Sequence, residues 1–162
     1  MVIYVIRHGE TDWNTKHWLQ GTTDIPLNRN GIEVAEITSE ALKGIPFDVI
    51  FSSPLKRAYQ TAEIMKRERQ IPLIVDERLK EISFGCFEGL CCTGPNYNIP
   101  DPDFPNFFQN PAHYNPPEGG ESIAELCVRG TDFLTWLIDQ PEYQDKTVLI
   151  SAHGAIVKAL LS

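Results

Sequence analysis

The chain has 162 residues, a length that suits one domain with its own core and is too short to expect two. Hydrophobic residues make up 42% and charged residues 22%, which is ordinary for a globular protein. A formal net charge of −8 leaves no basic surplus for nucleic acid or an anionic membrane, although a few local cations still suffice for a small phosphorylated ligand.

The first predicted strand ends at a histidine. Val2–Ile6 is an uninterrupted apolar run, typical of a strand covered on both faces, and Arg7, His8 and Gly9 follow it directly. Ligands of open α/β sheets bind just beyond the carboxyl ends of the strands. An imidazole in that place, between a guanidinium and a glycine, indicates a histidine that handles phosphate.

Helices and strands then alternate. Apolar residues spaced three and four apart predict a helix over Asn28–Lys43, and strands are predicted at Phe47–Phe51 and Pro72–Val75. Between these strands, Pro54 suits the first position of a second helix. The predicted inner faces comprise Ile32, Ala35, Ser39 and Leu42 in the first helix, and Leu55, Ala58, Tyr59, Ala62 and Met65 in the second.

The segment Thr93–Gly120 interrupts this alternation. It holds most of the prolines together with several aromatic residues, and it is too long for an ordinary connection. Aromatic side chains argue against a disordered linker, so we predict a lid or a specificity loop.

The last part of the chain repeats the pattern of its beginning. Ser122 and Glu125 form a capping box for a third helix, and the strand Thr147–Ala152 then ends at His153 and Gly154. Two histidines at the tips of two strands can converge on one pocket. The predicted inner face of the third helix comprises Ile123, Leu126, Cys127, Phe133, Leu134, Leu137 and Ile138.

The alternation predicts a three-layer α/β/α architecture with a mostly parallel sheet. We treat residues 1–162 as a single domain with an insertion at 93–120. Its last segment, Ala155–Ser162, predicts a helix of barely two turns, so the domain either ends there or has been cut short.

Several signals are missing from the sequence. No apolar stretch approaches the length of a membrane span, and the N-terminus lacks the regions of a secretory signal, so we expect a cytoplasmic protein. The cysteines match no zinc-binding spacing and are expected to be reduced thiols; they are Cys86, Cys91, Cys92 and Cys127.

Taken in order, the motifs resemble those of the histidine phosphatase superfamily, also called phosphoglycerate mutase-like. The matching segments are Arg7-His8-Gly9-Glu10-Thr11, Asn14, Gln20-Gly21, Asp24-x-Pro26-Leu27, Ser52-Ser53-Pro54-Leu55-Lys56-Arg57-Ala58 with Thr61, Leu79-Lys80-Glu81, Gly85, Glu88-Gly89, Gly120-Glu121-Ser122 and His153-Gly154. The resemblance covers nearly the whole chain, and it implies the α/β fold predicted above.

The resemblance implies a catalytic set of five residues. His8 is the expected nucleophile, which forms a phosphohistidine, and Arg7 and Arg57 clamp the phosphate with planar guanidinium groups. His153 donates to an oxygen of the transferring phosphoryl group. Glu81 is the expected general acid, a role that requires its carboxyl group to be neutral and that we expect burial to favour.

Other residues receive lesser roles. Gly9 is expected to let backbone N–H groups approach the anion, and Glu88 is a weaker candidate for the acid. The substrate-binding positions implied are Asn14, Gln20, Gly21, Thr11 and Gly154. Expected to lie in solvent are Arg29, Lys56, Arg67, Arg69, Arg78 and Arg129, together with His17 and His113.

The implied function is phosphomonoester hydrolysis without a metal or another cofactor. The expected partner is a small phosphorylated substrate of the sugar phosphate or α-ribazole phosphate type; neither nucleic acid nor a membrane is expected, and a homodimer stays open. A phosphoglycerate mutase is the alternative, but Ile82 follows Glu81 where mutases carry arginine, and Thr93–Gly120 contains no lysine or arginine. A protein that only binds phosphorylated ligands is a third reading, which the complete catalytic set disfavours.

Overall fold

A parallel sheet of four strands forms the centre of the computed structural model, which describes residues 1–161. The strands are β1 (Val2–Arg7), β2 (Val49–Ser52), β3 (Leu73–Val75) and β4 (Thr147–Ala152). Their order across the sheet is β1-β4-β2-β3, so β1 and β4 are neighbours although they lie far apart in sequence. The pairing brings the ends of β1 and β4 together, and the predicted parallel sheet is confirmed.

Six helices accompany the sheet within residues 1–161. They are α1 (Asp12–Thr15), α2 (Arg29–Ala41), α3 (Lys56–Lys66), α4 (Asn106–Gln109), α5 (Ile123–Asp139) and α6 (Gly154–Leu160). Single 3₁₀ turns lie at Glu77–Leu79, Gly85–Phe87, Pro111–His113 and Pro141–Tyr143. None of the helices in this part of the chain has the length and apolar character needed to cross a membrane.

Helices cover both faces of the sheet. Successive side chains of a strand point to opposite faces, so neighbouring residues of β2 enter different cores. Phe51 meets Phe133 of α5 in the larger core, with ring centroids 5.7 Å apart. Ile50 faces the other way and packs with Ala62 and Met65 of α3. The predicted three-layer architecture is therefore confirmed, with α5 and α6 on one face and α2 and α3 on the other.

The inner faces of two helices differ from the prediction. Ile32 of α2 is 40% exposed, whereas Gly31 and Ala35 are buried. The reason is the close approach of Gly31 to the backbone of Glu10, where any Cβ atom on residue 31 would collide with the carbonyl oxygen. On α5, Ile138 is also turned outward, with 54% of its surface exposed.

Element boundaries shift by small amounts. α3 begins at Lys56 rather than Pro54, since Leu55 has extended backbone angles and serves as the N-cap residue. β2 begins at Val49, two residues later than predicted. Asn28 caps α2 as the helical pattern requires, because its side chain accepts a hydrogen bond from Gly31 N at 2.8 Å.

The insertion Thr93–Gly120 folds against the domain. Phe104, only 1% exposed, lies 6.0 Å from Phe84 and 6.1 Å from Phe107 between ring centroids. These residues belong to a set of mutually contacting rings that we call the aromatic cluster: Phe84, Phe87, Phe104, Phe107, Phe108 and Tyr114. The insertion is thus held in place by aromatic packing, which argues for a defined surface rather than a linker.

Candidate active site

A cavity of about 540 Å³ opens beyond the carboxyl ends of the strands. Arg7 and His8 reach its wall at the end of β1, Arg57 from the helix after β2, and Gly154 from the start of α6 after β4. This is the edge at which open α/β sheets bind ligands.

His8 is held as a neutral ring whose Nε2 carries no proton and accepts a hydrogen bond from Arg57 Nε at 3.3 Å. Its Nδ1 lies 2.6 Å from the Gly9 carbonyl oxygen, which can only accept, so the ring proton resides on Nδ1 and Nε2 keeps its lone pair. Burial lowers the pKa of His8 to about 3, and the positive charges of Arg57 and Arg7 act in the same direction. The ring therefore stays neutral in the pH range where an exposed histidine titrates.

His153 faces His8 with ring centroids 5.0 Å apart and is fully buried. Its Nε2 lies 2.8 Å from Ser53 Oγ, which itself accepts the Leu55 N–H at 3.3 Å and so keeps its own hydrogen for the imidazole. The other ring nitrogen, Nδ1, is a buried atom without a hydrogen-bond partner among residues 1–161. Burial, followed by the charge of Arg57, holds the pKa of His153 well below its usual range.

Arg57 is a cation held by the backbone of the facing loop. Only 1% exposed, it donates from Nη1 to Thr23 O at 2.8 Å and from Nη2 to Gly21 O at 2.7 Å, while its Nε lies 3.3 Å from His8 Nε2. Burial lowers the pKa of Arg57 to about 10, which still leaves it charged at neutral pH. Arg7, by contrast, is exposed on the cavity wall, and its side chain makes neither a hydrogen bond nor an ion pair with the rest of the described chain.

The loop that carries these carbonyls is fastened by Glu88. Its carboxylate accepts hydrogen bonds from Thr22 N and Thr23 N, each at 2.9 Å, and from Phe84 N at 3.1 Å. Gly21 has a φ of +50°, and a Cβ atom there would collide with the Glu88 carboxylate. Glu88, a weaker candidate for the acid, therefore shapes the loop behind Arg57 and is not among the residues of the cavity wall.

Two amide side chains are oriented by Thr11. The Thr11 backbone N–H donates to Asn14 Oδ1 at 3.0 Å, and the Thr11 hydroxyl donates to Gln20 Oε1 at 2.8 Å. Because both amide oxygens are occupied, the NH₂ groups of Asn14 and Gln20 remain available as donors on the cavity wall. Thr11 itself is fully buried and lies behind that wall, so its assignment as a direct substrate contact is corrected to an orienting role.

Glu81 lies at the same end of the cavity. Its Oε1 accepts the N–H groups of Ile82 at 3.0 Å, Ala155 at 3.1 Å and Ile156 at 3.2 Å. The residue is only partly buried, so the deep burial expected for it is corrected to a cradle of backbone amides. Across the neighbouring Gly154, a Cβ atom would lie 3.7 Å from Glu81 Oε2 and 3.8 Å from the guanidinium carbon of Arg7.

Comparison with known protein families decides what this site belongs to. Residues 3–162 match the model of the histidine phosphatase superfamily (branch 1), which is nearly the whole chain. The chain belongs to the histidine phosphatase superfamily.

Its relatives in the superfamily include phosphatases and mutases. A protein of Bacillus subtilis named as an uncharacterized phosphatase, PhoE, is 38% identical over 160 residues, covering 99% of this chain and 75% of that protein. A 2,3-bisphosphoglycerate-dependent phosphoglycerate mutase of Cytophaga hutchinsonii is 32% identical over 165 residues, covering 99% of this chain and 75% of that protein. The solved structure of Bacillus stearothermophilus YhfR aligns with a TM-score of 0.89 at 35% identity, covering 98% of this chain and 77% of that one.

Two predicted site residues are not on the cavity wall: Thr11 lies behind it, and His153 is fully buried beside His8. The predicted residues on the wall itself are Arg7, His8, Asn14, Gln20, Gly21, Arg57, Glu81 and Gly154. The resemblance thus names residues that the fold brings to one place.

Gly9 does not have the predicted role of letting backbone N–H groups approach an anion. Its N–H donates to Thr61 Oγ1 at 3.1 Å and is not available to an anion. Glycine is required there because a Cβ atom would collide with the carbonyl oxygen of Gly31 at the start of α2. The residue therefore allows β1 and α2 to approach closely.

Arg129 is not the solvated charge that the sequence indicated. Two of its nitrogens bind the carboxylate of Glu121 at 2.9 and 2.7 Å, and Nη1 donates to the carbonyl oxygens of Arg78 and Lys80, each at 2.7 Å. It thereby secures the segment that leads into Glu81. Arg78 and Arg69 are corrected in the same way: Arg78 binds the carboxylates of Asp76 and Asp132, and Arg69 binds the carbonyl oxygens of Leu42 and Ile45.

Sequence reasoning missed the residues that line the far part of the cavity. Lys158, His17 and Cys92 lie on its wall, and His17 is exposed there, as predicted. Lys158 had a signal, since it stands one helical turn after Gly154 and so shares its face of α6. The apolar lining comprises Trp18, Leu19, Phe84, Phe107, Phe108, Pro111, Ile123, Leu126, Cys127, Ala155 and Ala159.

Proposed function

We propose that the chain hydrolyses phosphomonoesters of small metabolites through a phosphohistidine at His8. The observation that carries this proposal is the neutral His8 ring, whose unprotonated Nε2 lies between the buried Arg57 guanidinium and the His153 ring. A lone pair beside fixed positive charge is what attack on a phosphate dianion requires.

In the first step, the Nε2 lone pair of His8 forms a bond to phosphorus. The bond between phosphorus and the ester oxygen breaks, its electron pair goes to that oxygen, and protonated Glu81 supplies the proton that makes it an alcohol. The phosphorylated ring carries positive charge, which the hydrogen bond from Nδ1 to Gly9 O stabilises.

In the second step, water attacks the phosphohistidine. Glu81, now a carboxylate, takes a proton from the water, the bond from phosphorus to Nε2 breaks, and its electron pair returns to His8. Inorganic phosphate leaves, and Glu81 is again protonated for the next cycle.

The transferring group is stabilised by cations and donors that are set before the substrate arrives. Arg7 and Arg57 balance its two negative charges, and the buried, unpartnered Nδ1 of His153 beside His8 is assigned as a donor to one oxygen. The free NH₂ groups of Asn14 and Gln20 add two further donors. Phosphoryl transfer depends mainly on such positioning and charge neutralisation, which arginines provide here in the role a metal has elsewhere.

The alcohol part of the substrate would lie against an apolar wall. Trp18, Phe84 and Phe107 offer ring faces, and Ile123 and Leu126 of α5 offer aliphatic surface. Such a wall suits a ring-bearing or otherwise apolar body joined to the phosphate, as in sugar phosphates and phosphates of the α-ribazole type.

A phosphoglycerate mutase is the second candidate, favoured by the similarity to the Cytophaga protein. Against it, the insertion carries no lysine or arginine, and the side chains that it adds to the cavity wall, Phe107, Phe108 and Pro111, are apolar. An assay with 3-phosphoglycerate, with and without 2,3-bisphosphoglycerate, distinguishes the two: the proposed hydrolase releases phosphate and forms no 2-phosphoglycerate.

The proposal is tested with a panel of esters whose leaving groups range from p-nitrophenol to simple alcohols. We expect His8-dependent release of phosphate from each ester, unchanged rates after addition of EDTA, and inhibition by vanadate, which imitates the five-coordinate phosphorus. Activity that is lost with EDTA and restored by magnesium would contradict the proposal.

The same panel tests the acid role with Glu81→Gln. This variant cannot donate the proton, so we expect about a 10²–10³-fold loss for alkyl esters and a much smaller loss for p-nitrophenyl phosphate, whose leaving group needs no proton. Glu63→Gln, a change on the exposed side of α3, is the matched control. Equal losses across the whole panel would contradict the assignment.

A further inference from the structure

We propose that Lys158 binds a second anionic group of the substrate, so that the preferred phosphomonoester carries a carboxylate or another phosphate on its apolar body. This inference rests on the proposed function and narrows its substrate class. Lys158 lies on the wall of the catalytic cavity, in the part lined by apolar side chains.

Lys158 has no partner within residues 1–161. Several exposed lysines pair with acids, as Lys56 does with Asp24 at 3.7 Å and Lys146 with Asp48 at 3.4 Å. The side chain of Lys158 makes neither a hydrogen bond nor an ion pair in the described part of the chain, although acidic residues outnumber basic ones by 22 to 14. Its ammonium group is therefore available to a ligand.

The geometry of α6 places this lysine near the reacting end. Gly154 and Lys158 are four residues apart and share one face of the helix. Helical side chains lean toward the N-terminus, so the Lys158 side chain lies over the turn that begins at Gly154, the residue beside Arg7 and Glu81. A ligand bound at the phosphate site thus has Lys158 within reach of its alcohol part.

The charges of a bound phosphate group are neutralised without Lys158. A phosphomonoester dianion is matched by Arg7 and Arg57, and His8 is neutral. Glu81 is the single carboxylate among the residues that line the cavity, and its three backbone donors hold it at the reacting end. With Glu81 protonated, as its proposed role as the acid requires, Lys158 remains as a surplus positive charge on the apolar side, where a second anion of the substrate would neutralise it.

The experiment compares two esters that differ by one charge, phenyl phosphate and 4-carboxyphenyl phosphate. Because the two differ in intrinsic reactivity, the quantity measured is the ratio of kcat/KM between wild type and variant on each ester. We expect Lys158→Met to lose about five- to tenfold more on the carboxylated ester than on phenyl phosphate, the loss residing in KM. Lys158→Arg should recover most of the difference, and 1,4-phenylene bisphosphate shows whether a second phosphate is bound as well as a carboxylate.

Two controls separate this inference from the proposed function. Lys43→Met removes the same charge outside the cavity, and we expect it to affect both esters alike. In His8→Ala, calorimetric dissociation constants for both esters give the same comparison without turnover. If Lys158→Met changes both esters equally in both measurements, the second-anion site is overturned, whereas hydrolysis that does not depend on His8 contradicts the proposed function instead.

Discussion

His8→Ala should abolish hydrolysis, with kcat/KM for p-nitrophenyl phosphate falling by about 10⁴-fold or more. The variant lacks the nitrogen that forms the covalent intermediate, and the remaining arginines can only bind the substrate. Its fold should persist, since the lost ring makes a single hydrogen bond, to the adjacent Gly9 carbonyl, besides the contact from Arg57. Steady-state kinetics and thermal unfolding measure the two expectations separately.

His113→Ala is the matched control for this variant. His113 is exposed in the insertion and lies outside the cavity wall, so its removal should leave both activity and unfolding temperature close to wild type. Substantial turnover by a folded His8→Ala protein would contradict the nucleophile assignment.

Arg57→Met should have the second-largest effect, and it should act on both activity and stability. Activity should fall by about 10³-fold, because one cation and one donor to the phosphoryl group are lost. Stability should fall by about 2–4 kcal/mol, since the carbonyl oxygens of Gly21 and Thr23 lose their buried donor. Arg57→Lys keeps the charge but cannot reach both carbonyls and His8, so it should restore only part of each loss.

Arg69→Met distinguishes the catalytic loss from the structural one. Arg69 also binds two backbone carbonyl oxygens, those of Leu42 and Ile45, at 2.7 and 2.6 Å, but it lies away from the cavity. It should destabilise the protein in urea without a comparable loss of kcat/KM in the folded state. If both variants lose activity only in proportion to the unfolded fraction, Arg57 has no direct part in catalysis.

The elements of the fold that depend on local pattern could be predicted from the sequence. The apolar runs of β1 and β4 and the capping box of α5 depend on neighbouring residues and lie where the sequence places them. The buried face of α2 could not be predicted from its local sequence pattern. It is decided by the approach of Gly31 to Glu10, a contact between segments about twenty residues apart that periodicity does not encode.

In the candidate site too, some features could be predicted from the sequence and others depend on contacts between distant segments. Strand ends and motif order place His8 and His153 at one edge of the sheet. The sequence does not tell which atoms are already occupied inside the protein. Thr11 and Gly9 resemble ligand contacts by position, yet their polar groups are used internally by Gln20 and Thr61. Arg129 likewise has the appearance of a surface charge until the fold brings it against the segment before Glu81.

Rapid-quench mass spectrometry of the wild-type protein during turnover would detect the proposed phosphohistidine itself. We expect one phosphoryl group on the peptide that holds His8, stable in base and labile in acid, that forms and decays at rates compatible with kcat. A phosphoryl group on any other residue, or turnover at full rate with none on His8, would contradict it.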